Sequence, residues 1–195
     1  MIAHQKLNTN QTSSRKNLMS KTYHPALVPA FKTTLLALSG ILAKAEAFCQ
    51  EKDIEESVLL DFRFYPDMMP FSRQVQTACD FVKNAPARLV GEEPKSFEDD
   101  EQSFDALRQR IDSVLAILES YSVESLRVDE SVMLEVPAGP NGKIRFKDLD
   151  TYFHSFAVPN FYFHCATAYN MLRHNGLEIG KLDFIGPVDA ELLPA

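Results

Sequence analysis

Apolar residues return at every third or fourth position from Leu27 onward: Leu27, Phe31, Leu35, Leu38, Leu42, Ala45 and Phe48. Side chains three and four apart share a helical face, so this spacing predicts one helix with a broad apolar stripe. Pro25 and Pro29 suit its first turns, where a missing amide donor costs least. Gly40 is an interior weak point of ~1 kcal/mol. The pattern fades near residues 50–52, and Asp53 is placed to cap a shorter helix through Leu60. In RFYPDMMPF, Pro66 and Pro70 exclude a regular helix. Pro70 opens the next one, with Phe71, Val75, Ala78 and Val82 on its buried face. Pro86 is expected to kink or divide that helix, and Gly91 to end it. Phe104, Leu107, Ile111, Val114, Leu118 and Tyr121 mark another long helix.

The period then drops to two. Val132, Leu134 and Val136 alternate with polar or exposed positions, as do Ile144 and Phe146. Asn141-Gly142 between them is a type I′ turn signal, so a β-hairpin with one apolar face is expected. Two strands cannot stand alone, so the hairpin must lie on the helices. Asp148 caps a helical segment carrying Leu149, Tyr152, Phe153 and Phe156, which Pro159 is expected to break. A last long helix follows, with Gly176 as its C′ residue. These elements make a mainly α domain: a helical bundle with short extra helices and one inserted hairpin.

Composition refines this picture at three points. The chain has 195 residues, 45% of them hydrophobic, which suits one domain with a real core. Acidic residues outnumber basic ones 27 to 20, and the net charge of −7 disfavours nucleic acid and anionic membrane as partners. No apolar run is read as reaching the ~20 residues of a spanning helix. Three scattered cysteines, Cys49, Cys79 and Cys165, make no disulfide framework and suit a reducing, cytoplasmic setting. Residues 1–20 read as a disordered tail ahead of a domain spanning 21–195. They are basic, hydroxylated and free of acids, and a mitochondrial import signal is the lesser reading. Glu98, Asp99, Asp100 and Glu101 read as charges favourable to the N-terminal dipole of the following helix, not as a metal site.

Candidate chemistry gathers in PNFYFHCATAYNMLRHNG, residues 159–176. His164 shares a face with Phe161, Ala168, Met171 and Leu172 and so points into the bundle. Asn160 lies one turn earlier on the same side. His154, His164 and His174 are ten residues apart, about −80° of rotation per step, so an unbroken helix does not align them. Cys165 is turned about 100° from His164 and reads as a packed thiol. Arg173 and His174 suit the C-terminal end of the helix dipole. Gln74 and Gln76 flank the apolar Val75, and Asp67 precedes the same helix; such side chains orient small polar molecules well. No P-loop, dinucleotide, H-E-x-x-H or G-x-S-x-G motif occurs.

The pair YPDMMPFSRQVQTACDFVK and PNFYFHCATAYNMLRHNG, closing on GKLDFIG, resembles an uncharacterised, domain-of-unknown-function branch of the DinB/YfiT-like superfamily from about Thr22 to Gly186. The resemblance implies an up-down-down-up four-helix bundle, often a homodimer. In several members three histidines hold a divalent metal, one from the second long helix and two from an H-x-x-x-H pair on the last. Some metal-bound members are thiol-dependent transferases or isomerases. Here the last-helix pair reads Asn160-x-x-x-His164, and the second-helix position falls near Gln76. The expected ligand-binding set is thus Asp67, Gln76, Asn160 and His164, with His164 the candidate metal ligand or catalytic base. Three readings stay open: a module binding a small polar or thiol-bearing molecule without metal, a transferase or isomerase using His164, and a dimeric interaction protein.

Overall fold

The computed structural model describes residues 20–187, and the expected tail lies outside them save for Ser20. Seven helices and four short strands follow in order: β1 (Ser20–Thr22), α1 (His24–Lys52), α2 (Glu56–Leu60), α3 (Phe71–Leu89), α4 (Phe104–Glu119), β2 (Arg127–Asp129), β3 (Leu134–Pro137), β4 (Lys143–Phe146), α5 (Leu149–Tyr152), α6 (Val158–His174) and α7 (Lys181–Ile185). The four long helices α1, α3, α4 and α6 form the bundle. Side-chain pairs give their directions. Lys32 at the start of α1 meets Glu119 at the end of α4, and Glu46 meets Arg108 near the start of α4, so these two run antiparallel. Phe71 and Phe104 open α3 and α4 and stack edge to face, so α3 and α4 are parallel. Arg88 at the end of α3 reaches Tyr152 ahead of α6, and Phe31 packs on Phe161 at 4.4 Å. The order is up-down-down-up, with each expected apolar stripe buried in one shared core.

Parallel neighbours impose a long connection. The chain must return from the end of α3 to the start of α4, a helix length of roughly 28 Å, and residues 90–103 do so without regular structure. Arg110 holds this crossover. Its guanidinium is 2% exposed and ion-paired to Asp80 on α3 and to Asp99 and Glu101 on the crossover. It also donates to the Glu98 carbonyl at 2.8 Å and lies against the Phe97 ring. Asp99 and Glu101, two acids of the run, therefore pair with Arg110, a role the dipole reading does not give them. At the start of α4, Glu56 from α2 accepts the Phe104 N–H at 2.7 Å beside the Ser103 cap, and Asp105 stands in the first turn.

Several local expectations change. Asp53 does not cap α2; it ends α1 in the left-handed region, φ 54°, and α2 starts after Glu55. Pro86 does not divide α3, which runs on to Leu89 before Gly91 turns away at φ 78°. The hairpin forms, with Val136 opposite Ile144 and Leu134 opposite Phe146, but residues 138–142 connect it through a 3-10 turn, not a two-residue type I′ turn. Val136 and Phe146 are buried, whereas Ile144 and Val132 are exposed. A second small sheet pairs β1 with β2, which no period announced. Pro159 does not break the chain into two helices. Residues 149–174 form one rod, and Phe153–Ala157 widen into a π-helical turn just ahead of the proline. A proline lacks the N–H that the carbonyl four residues earlier needs, and a wide turn passes that bond on. Contrary to the sequence reading, α1 is by length and composition long and apolar enough to cross a membrane. Half of its apolar window is buried inside the bundle.

Arg110→Ala is expected to destabilise the protein by about 3 kcal/mol, because three carboxylates lose their cation. Urea unfolding measures this, and limited proteolysis should show faster cleavage within residues 90–103. A wild-type midpoint together with wild-type cleavage would contradict the pinning role.

Candidate functional site

The site begins with two positions on α3 that flank Val75. Gln74 and Gln76 are both 2% exposed, yet about 200° apart around the helix, so they face different neighbours. Gln74 lies on the apolar stripe itself, three residues after Phe71 and four before Ala78. It therefore looks across to α6. Gln76 looks toward the crossover instead, where its Nε2 donates to Glu101 at 2.7 Å and its Oε1 accepts from Arg73 at 3.0 Å.

His164 sits on the facing stripe of α6, 8% exposed. Its Nδ1 is 2.7 Å from Gln74 Oε1. The Gln74 Nε2 is committed to the Met69 carbonyl at 3.3 Å, which turns the amide oxygen toward the ring. An oxygen only accepts, so Nδ1 carries the proton and Nε2 holds the lone pair. Phe81 lies nearly parallel to the ring at 6.0 Å, and Phe163 meets it edge-on at 5.3 Å. Burial pushes the imidazole below its ordinary pKa, with no charged neighbour opposing it. His164 is thus neutral at pH 7. Nε2 has no hydrogen-bond partner among the described residues.

The other expected site residues take separate places. Asn160 donates through Nδ2 to the Phe156 carbonyl at 2.7 Å, helping satisfy the π-helical turn before Pro159. Asp67 is exposed in the turn before α3. None of Asp67, Gln76 and Asn160 is hydrogen-bonded to His164. Cys165 is buried, and burial holds its thiol well above the usual range; Cys79 is pushed up to about 12 for the same reason. Both stay protonated at neutral pH and are poor nucleophiles. His154 is 3.5 Å from Asp150, and His174 packs between Phe62 and Phe64, so the three histidines stay apart. Arg173 donates to the Leu177 carbonyl just past the helix end, at 3.3 Å.

A three-histidine metal site does not fit these residues. The α3 group facing His164 is an amide whose oxygen already takes the Nδ1 proton, and the residue one turn earlier is an amide bonded to its own helix. Among the described residues no three His, Cys, Asp or Glu side chains gather as a metal set. Gln74 is the member that sequence reasoning left out of its final set. The signal was present: only Gln74 of the two glutamines falls on the stripe of Phe71, Val75 and Ala78.

Comparison with known proteins agrees with this architecture. No functionally curated protein matches the chain. A crystal structure of a DinB family member protein from Shewanella denitrificans is similar at 33% identity and a TM-score of 0.77, covering 96% of this chain and 100% of that one. Residues 23–185 match the model of a domain of unknown function, DUF1993. The chain therefore belongs to the DUF1993 family, on a DinB-like helical bundle.

Proposed function

We propose that the protein is a binding module that holds a small polar or thiol-bearing molecule against His164, without a metal. The 2.7 Å bond between His164 and Gln74 carries this reading. It fixes one tautomer, so Nε2 presents a permanent acceptor for the O–H, N–H or S–H of a ligand. The aromatic rings of Phe81 and Phe163 around it supply apolar contact for the rest of such a molecule. The positions that the resemblance gives to histidines hold the amides of Gln76 and Asn160, and the group that faces His164 is the amide of Gln74; none of these gives a metal chelate, and this favours the binding reading over a metal-dependent transferase.

Two measurements test it. Metal analysis of protein purified without chelator should find no stoichiometric divalent ion; one that disappears in His164→Ala would overturn the metal-free form. A thermal-shift screen of small thiols and alcohols should find compounds that raise the midpoint of the wild type more than that of His164→Ala or Gln74→Ala. Equal shifts in all three proteins would sink the binding site at His164.

The neutral histidine also predicts a pH dependence. Its folded-state pKa is depressed, so its contribution is fully present above the unfolded value of about 6.5 and lost as pH falls through the lower folded value. Urea midpoints of the wild type and His164→Gln should therefore diverge between pH 7 and pH 5, the wild type losing more. Parallel pH profiles would show that the ring is not held neutral.

A further inference from the structure

Away from His164, a cavity of about 440 Å³ opens where the end of α3 and the first part of the crossover meet the β3–β4 hairpin. Its cationic side chains are Lys83, Arg88, Lys95 and Lys143. Lys83 is 6% exposed, fixed by Asp80 at 3.2 Å and by Asn84 at 2.9 Å. Arg88 is half-buried and uses a single donor, on the Tyr152 hydroxyl at 3.4 Å, so most of its planar fork is unused. Lys95 lies over the Phe97 ring at 5.5 Å. Neither Arg88 nor Lys95 has a carboxylate partner among the described residues.

Three acids share the lining, and two are already engaged. Glu135 is held by Arg145 at 2.6 Å and, more loosely, by the cavity's own Lys143 at 3.6 Å, and Glu92 accepts from the Tyr121 hydroxyl at 3.0 Å. Only Glu93 stands uncommitted against Arg88 and Lys95. Three of the carbonyls at the end of α3, which would repel an anion, are covered: Val90 N–H donates to Pro86, Glu92 N–H to Ala87 and Gly91 N–H to Arg88. We infer that this cavity is a second binding site, for a small molecule bearing an oxyanion. Its charged group would take the Arg88 fork in bidentate fashion, with Lys83 and Lys95 as flanking cations. A cavity of this size accepts a metabolite rather than a bare ion. The site is independent of the one proposed at His164.

The test titrates the full chain with inorganic phosphate and, separately, with citrate, against sodium chloride at matched ionic strength. Amide chemical shifts in two-dimensional NMR give the readout. Saturable shifts confined to residues 83–96 and 134–143 are expected for at least one oxyanion. Response to phosphate alone would assign a phosphoryl group, and response to citrate alone a carboxylate. Lys95→Gln should weaken binding by about tenfold, as should Arg88→Gln, while His164→Ala leaves it unchanged. If Arg88→Gln does not fold, the exposed Lys95→Gln and Lys143→Gln carry the test. Shifts equal to those in chloride, or affinities untouched by the substitutions, would overturn the inference.

Discussion

One buried guanidinium makes this bundle possible. An up-down-down-up order sets α3 and α4 parallel, and the connection between them must cross the whole bundle as irregular chain. Such a segment carries backbone groups and acids that no helix satisfies. Arg110 resolves this by binding one carbonyl and two carboxylates of the crossover while a third carboxylate, Asp80, ties it to α3. Burying a charge is unfavourable unless its partners are close and numerous, and here three acids and an aromatic face surround it. The geometry of the crossover, and of everything resting on it, follows from that cluster.

The same cluster decides which glutamine faces the histidine. Gln76 bridges Arg73 and Glu101, so it belongs to the polar seam between α3 and the crossover. Gln74, two residues earlier, is left to the α3–α6 interface, where a polar side chain needs a partner. His164 supplies it, and the Met69 carbonyl supplies the other half. A buried histidine in contact with an acid would gain a proton; one in contact with an amide does not. The uncharged seam between α3 and α6 thus depends on the amide standing at position 74.

Much of the fold was legible in hydrophobic spacing. The four long helices, the Pro70 and Gly176 boundaries and the Asp148 cap follow from local rules, because a stripe at three and four residues has one way to be buried. What escaped depends on distant partners. Asp53 ends α1 because the chain there turns left-handed, not because its carboxylate lacks a helix to cap. At Pro159 the π-helical turn Phe153–Ala157 carries the rod through the proline, and the Asn160 side chain adds a bond to the Phe156 carbonyl; neither is announced by the apolar spacing. Of the site residues, His164 was correctly placed inside from its own helix. Gln76 was chosen over Gln74 by matching a motif position, although the periodicity of α3 favours Gln74. Asn160 is chosen by its motif position one turn before His164, and Asp67 by its place just ahead of α3; neither fixes the direction of a side chain, and Asn160 turns to the Phe156 carbonyl.

The cavity beside the hairpin extends this logic outward. Asp80 is shared between Arg110 and Lys83, so the buried cluster and the cavity floor use one carboxylate between two cations. Arg73, Lys83 and Arg110 balance Asp80, Asp99 and Glu101 within that cluster. Arg88 stands outside it, one α3 turn beyond Asn84, where the helix is ending and the hairpin begins to cover it. A half-buried guanidinium with one long hydrogen bond keeps donors open to the cavity, where an incoming anion can reach them. Arg110 and Lys83 are paired with acids, although Arg110 Nε is left without a partner, whereas Arg88 has no carboxylate partner among the described residues. An oxyanion from solution can engage Arg88 without disturbing the Arg110 cluster, since Lys83 keeps Asp80 and Asn84 and still has one donor left.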